Sequence, residues 1–209
     1  MIKPVRLSVF PLPGALLFPG MHLPLHIFEP RYRAMMSDAM ARDRRIGMIQ
    51  PRPNAVAAGD APALFDIGCV GKIAEFEALE DGRYNLVLEG LSLFRILREL
   101  DVTTAFRQVE AELLPVAAED DTLSLSRRSS LEMESRRFAD AQGYAVDWEA
   151  VTRLDDEALV NGIAQIAPFD VAAKQALLEA EGIEERAELI IQLMQFFGRH
   201  DGEESVTLQ

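Results

Sequence analysis

One cysteine, Cys69, stands among 209 residues. That single thiol excludes a disulfide within the chain and a cysteine-based zinc site. Lysine is nearly as scarce. Lys3, Lys72 and Lys174 sit in unrelated contexts, so a Ser–Lys dyad has no local support. The histidines are His22, His26 and His200, and no HExxH occurs. His22 and His26 are separated by Pro24, which keeps the chain extended and their Cα atoms roughly 13 Å apart. One zinc ion, with Zn–N bonds of about 2.1 Å, cannot bridge that span. GxSxG and GxGxxG are both missing. "GCVGK" (68–72) has two residues between its glycines where a phosphate-cradling loop needs four, and Ile73 where it needs Ser or Thr. Glycines at a bend or bulge of a strand account for it better. Cys69 lies in an apolar run, where it reads as a small buried hydrophobe. No catalytic residue, metal or cofactor is expected, and the chain reads as a binding protein.

No apolar run approaches the ~20 residues needed to span a bilayer. The first 20 residues carry two cations and then apolar positions, but Pro11 and Pro13 interrupt them and no A-x-A-like site follows. A cytoplasmic protein without membrane contact is expected. The net charge of −13 is lopsided: residues 1–115 hold 13 Lys/Arg against 14 Asp/Glu, and the rest hold 8 against 20. An acidic second half repels phosphate backbones, so nucleic acid is not an expected partner.

What is present divides into two patterns. In the first half, "VRLSVF", "IGMIQP", "KIAEFEAL", "RYNLVLEG" and "RQVEAELL" read as strands. Tyr84, Leu86 and Leu88 share one side of theirs, the period of a half-buried sheet. Glu80-Asp81-Gly82 supplies a hairpin turn. Many short strands with turn signals between them suggest an antiparallel barrel-like sheet. Pro30 suits the first position of one interrupting helix, with Tyr32, Met36, Ala39 and Met40 on one face. Residues 51–63, rich in Pro, Gly and Ala, read as a long loop.

Beyond residue 116 the pattern turns helical. "SLSRRSSLEMESRRFADAQG" is one candidate; Asp155 and Asp170 can cap two more. Gly182 is expected to end the second of these, and Leu189, Leu193 and Phe196 to form the apolar stripe of the last helix. The chain is therefore α+β, with a β-rich unit over 1–116 and an α-helical bundle over 117–209. Five of its eight methionines fall between 21 and 48. Flexible thioethers suit surfaces that fit several apolar partners, which makes Met21, Met35, Met36 and Met40 candidate peptide contacts; the Met36/Met40 stripe equally suits a core-facing helix.

The stretch "FPLPGALLFPGMHLPLHIFEPRYRAMM" with the later "RIGMI" resembles the N-terminal, substrate-binding domain of the ATP-dependent Lon proteases. "DIGCVGKIAEFEALEDGRYNLVLEGLSLFRIL" is similar to that family's second block, and "PFDVAAKQALLEA" to its helical tail. Leu93 stands where the family often has arginine. The resemblance implies a PUA-like antiparallel β-barrel followed by a C-terminal α-helical bundle. It also implies that Pro19, Pro24 and Pro30 lie at ladder ends. Pro24, Glu29, Pro30, Arg31 and Tyr32 would then be fold-defining contacts, around a short helix that plugs the barrel. Neither the nucleotide-hydrolysing nor the Ser–Lys protease motifs of Lon occur, so a stand-alone, non-catalytic domain is expected. Its partners would be unfolded or apolar polypeptide segments, or a protease for which it is an adaptor. Two alternatives remain: RNA binding by a PUA-like barrel, and a small-ligand binder or enzyme using a barrel–bundle cleft with 51–63 as lid.

Overall fold

The computed structural model describes residues 4–56, 61–115 and 122–204. Its elements in chain order are β1 (Val5–Pro11), β2 (His22–Ile27), α1 (Pro30–Met40), β3 (Arg45–Ile49), β4 (Pro51–Val56), β5 (Pro62–Leu64), β6 (Ile67–Ala78), β7 (Tyr84–Glu99) and β8 (Gln108–Leu113). The helices α2 (Leu125–Gln142), α3 (Trp148–Val151), α4 (Asp156–Ile166), α5 (Val171–Glu179) and α6 (Gly182–Glu204) follow. Two compact units result. The first joins the described part of Met1–Val116 to Asp170–Leu178; the second takes Ala117–Phe169 and Glu179–Gln209. The expected boundary at 116/117 lies outside the described residues.

In the first unit a six-stranded sheet runs β2-β7-β6-β3-β1-β8, and the far half of β7 also pairs with β8, so the sheet is partly closed. All neighbours are antiparallel except β1 and β3, where Val9 lies opposite Gly47 in parallel register. The sheet is therefore mixed, not purely antiparallel as expected. The chain between those strands, carrying β2 and α1, is long enough for the crossover a parallel pair requires. The expected loop at 51–63 instead holds a two-stranded ribbon, β4 against β5; residues 57–60 lie outside the described residues. Pro51 and Pro53 are tolerated there because a short separate ribbon has edges with no ladder partner.

Glycines set two close approaches. A Cβ on Gly68 would stand 2.3 Å from the Met48 carbonyl oxygen, and one on Gly90 would stand 2.0 Å from that of Phe18. Only a residue without a side chain lets those backbones pass. Gly82, at φ +77°, closes the β6–β7 hairpin by donating its N–H to the Leu79 carbonyl.

Pro30 opens α1 without wasting a donor, and Glu29 before it is extended, as a residue preceding proline prefers. One face of α1 drives Tyr32, Met35, Met36 and Ala39 into a core shared with Phe10, Ile27, Leu86 and Leu88. A second cluster, Val9, Ile49, Val70, Phe94 and Val109, fills the rest of the sheet interior. Helix α5, expected in the bundle, belongs to this unit. Gln175 Nε2 donates to the Ile67 carbonyl at 3.1 Å, and Lys174 Nζ to that of Gly14 at 2.9 Å.

In the second unit α2 runs from its cap at Ser124 to Gly143, which adopts φ +71°. Asp147 and Asp155 cap α3 and α4 through their carboxylates. Along α6 the buried stripe is Ile183, Ala187, Ile190, Ile191 and Met194, while Phe196 is 56% exposed. The expected stripe of Leu189, Leu193 and Phe196 is thus displaced around the helix; α6 packs on both α2 and α4, so two partners rather than one choose its buried face. Gly182, expected to end α5, sits at the start of α6 with φ +80°. Arg186 donates to Oδ1 of the Asn161 side chain at 2.9 Å inside this unit. Among the described residues no helix is long and apolar enough to cross a membrane.

Candidate functional site

Strand β2 is the least protected element of the sheet. It pairs with β7 on one side, and no strand covers its other edge among the described residues. Pro24 lies in mid-strand opposite Val87, not at a ladder end as expected. An edge strand tolerates it, because a missing N–H on the open side breaks no ladder bond. The same proline keeps a second sheet from adding indiscriminately.

Depressions flank β2 on both sides. One, about 660 Å³, is lined by Pro24, Leu25 and His26 with Glu75, Phe76 and Glu77 of β6 and Asn85, Leu86 and Val87 of β7. The other, about 360 Å³, lies between Phe10–Pro13 and the run Pro24–Glu29 with Arg31 and Tyr32. Exposed aromatics mark this surface: Phe28 is 61% exposed and Phe76 37%. Phe28 stacks near His26, with ring centroids 6.3 Å apart, and Phe76 leans on Tyr84 at 4.9 Å.

A polar chain crosses the three strands. His26 Nδ1 lies 2.7 Å from Asn85 Oδ1; a carbonyl oxygen only accepts, so Nδ1 donates. Asn85 Nδ2 donates in turn to Glu77 Oε2 at 3.0 Å. At the other end Arg83 reaches His26 Nε2 at 3.4 Å and grips the Asp81 carboxylate at 2.6 Å. That grip holds the Asp81 carboxyl below its usual range.

The Glu-Pro-Arg-Tyr run contacts itself and the core. Arg31 pairs with Glu29 at 2.8 Å and lies 4.5 Å over the Tyr32 ring. Tyr32 packs 4.3 Å from Phe10, and burial pushes its phenol up. The methionines are placed differently from a contact surface. Met35 and Met36 are fully buried, and Met21 and Met40 are partly buried against the same cluster. Their thioethers fill the gap between α1 and the sheet; the exposed aromatics beside β2 and β6 are Phe28 and Phe76, while Val87 is half-buried and Leu25 packs against the same core. The outward positions of β7 were legible in "YNLVLEG", but their neighbours depend on a register no local pattern records.

Cys69 is buried, and desolvation pushes its thiol up to about 12. His22 and His26 are both on β2. Among the described residues no three His, Cys, Asp or Glu side chains gather as a metal ligand set. Asp156, in the second unit, is pushed up by burial, yet the Leu123 N–H and Arg128 hold it below its usual range.

A family model described as the ATP-dependent protease La (LON) substrate-binding domain matches residues 6–195. The chain belongs to the Lon substrate-binding domain family. Among its relatives, Lon protease 2 of Myxococcus xanthus is 26% identical over 204 residues, covering 91% of this chain and 24% of the relative. Lon protease of Escherichia coli K12 is 26% identical over 200 residues, with 91% and 25% covered. The chain thus spans about a quarter of the length of these Lon proteases, and the match lies in their substrate-binding domain. A crystal structure of a Lon N-terminal domain protein from Xanthomonas campestris superposes with a TM-score of 0.65 at 21% identity, covering 90% of this chain and 98% of that one. The N-terminal domain of a Mycobacterium avium complex Lon protease gives 0.66 at 19% identity, with 91% and 98% covered. The fold is that of the Lon N-terminal domain.

Proposed function

We propose that this domain holds exposed apolar segments of other polypeptides, in extended form, along the open edge of β2, and does not alter them chemically. The observation that carries the reading is the edge itself. One edge strand, paired only with β7 among the described residues, lies between two depressions whose linings include Leu25, Phe28, Phe76 and Val87. Backbone groups along an open edge supply sequence-independent affinity, while side-chain depressions choose among segments. Pro24 removes one donor, so the depressions contribute the larger share. Membership of a substrate-binding family supports the same reading.

In this account the domain passes its segment to a partner protease, works in the cytoplasm where a lone buried thiol stays reduced, and has no nucleic-acid role. An acidic chain with a near-neutral sheet unit offers no track for phosphates. Isothermal titration against a permanently unfolded, carboxymethylated protein and against its folded parent tests the proposal. Heat of binding with the unfolded form alone is expected. Equal heats, or none with either at high micromolar concentration, would contradict it.

A further inference from the structure

A bulge in β6 decides what the larger groove presents. Ile73 faces Leu88 and the core, but the register slips before Glu75, which lies opposite Val87. Without that slip Glu75 would share the inward face of Ile73. With it, Glu75 and Glu77 turn outward beside Val87, Asn85 and Pro24, a device frequent where a sheet must re-aim side chains. The Cα atoms of the two glutamates stand about 7 Å apart along the strand. Neither forms an ion pair with an arginine or lysine of the described residues. Of the other four glutamates on the sheet's strands, Glu110 is answered by Arg98 and Glu99 by Arg107. Asn85 occupies only Oε2 of Glu77. The groove therefore pairs an apolar floor at Val87 and Pro24 with uncompensated negative charge on one wall.

We infer that this groove selects extended polypeptide segments in which a lysine or arginine neighbours apolar residues. The cation is received by Glu75 and Glu77, and the apolar neighbour rests on Val87 and Pro24. The inference rests on the polypeptide-binding reading and gives it a charge preference. A guanidinium or ammonium supplies what the wall lacks. An acidic segment of equal hydropathy meets like charge.

Fluorescence anisotropy with three labelled ten-residue peptides tests this. They share one apolar core and carry Lys/Arg, Gln or Glu at the flanks. Against the full chain the basic peptide is expected to bind about tenfold tighter than the acidic one, and the ratio to shrink in high salt. In Glu75→Gln/Glu77→Gln, whose fold is checked by cooperative thermal unfolding, the ratio is expected to fall toward one. Basic and acidic peptides of equal affinity for the natural chain overturn the charge preference while leaving polypeptide binding standing. So does a ratio that survives in the double variant. Failure of all three peptides to bind overturns both readings.

Discussion

Gln50, the residue between β3 and β4, donates its Nε2 to Oε1 of Gln175 on α5 at 3.1 Å, across 125 positions of sequence. The same Nε2 reaches the Val171 carbonyl at 3.2 Å, and Oε1 accepts from the Gly14 N–H at 2.9 Å. One buried amide thus ties three segments of the first unit together, and polar bonds hold α5 beside the sheet.

Gln50→Ala removes all of those bonds, taking from the half-buried Gly14 N–H its acceptor and from Gln175 Oε1 the donor on β3's side. A loss of about 2 kcal/mol is expected. Urea unfolding should show a lower midpoint with an unchanged slope. A change of a few tenths would show that α5 is held by its apolar contacts alone.

Gly90→Ala is expected to cost more. Gly90 donates its N–H to the Met21 carbonyl and accepts from the Gly20 N–H, so the 18–21 turn is laid directly on β7. A methyl group there meets the Phe18 carbonyl, a backbone atom that cannot rotate away. The turn must lift, and a destabilisation of about 3 kcal/mol follows. Thermal unfolding measures it; a variant as stable as the parent would refute the close approach.

Lys174 carries a pH dependence. Burial pushes its ammonium below 10.5. Between the lowered folded value and 10.5 the unfolded chain holds a proton that the folded chain has released, so stability attributable to this group rises with pH. Relative to Lys174→Met, the parent is expected to gain stability as pH climbs from 7 toward 10.5. Melting both proteins across that range cancels the other titrating groups. A constant difference would contradict the shift.

Much of this architecture is written locally. The alternation in "RYNLVLEG" marks β7 and its inward leucines, Gly82 marks the hairpin, and Pro30 marks the first residue of α1, because each depends on backbone preferences of one short segment. Asp155 and Asp170 were legible as caps for the same reason; each accepts from the N–H three residues on, Ala158 and Ala173. What was hidden depends on partners far along the chain. The parallel pairing of β1 with β3, the burial of Met35 and Met36, the place of α5 and the outward turn of Glu75 are all set by tertiary register. A methionine on an amphipathic helix reads the same whether it meets a core or a guest. The candidate site was least legible of all, since Pro24, Val87 and Glu75 come together only after β2 has found β7 and β7 has found β6.

Chemical-shift mapping of the isotope-labelled protein during titration with an apolar peptide shows whether a segment docks beside β2. Progressive shifts are expected at Leu25, His26, Phe28, Phe76 and Val87, with the buried Met35 and Met36 methyls unmoved. Shifts confined to the helical second unit, or none at saturating peptide, would contradict docking there.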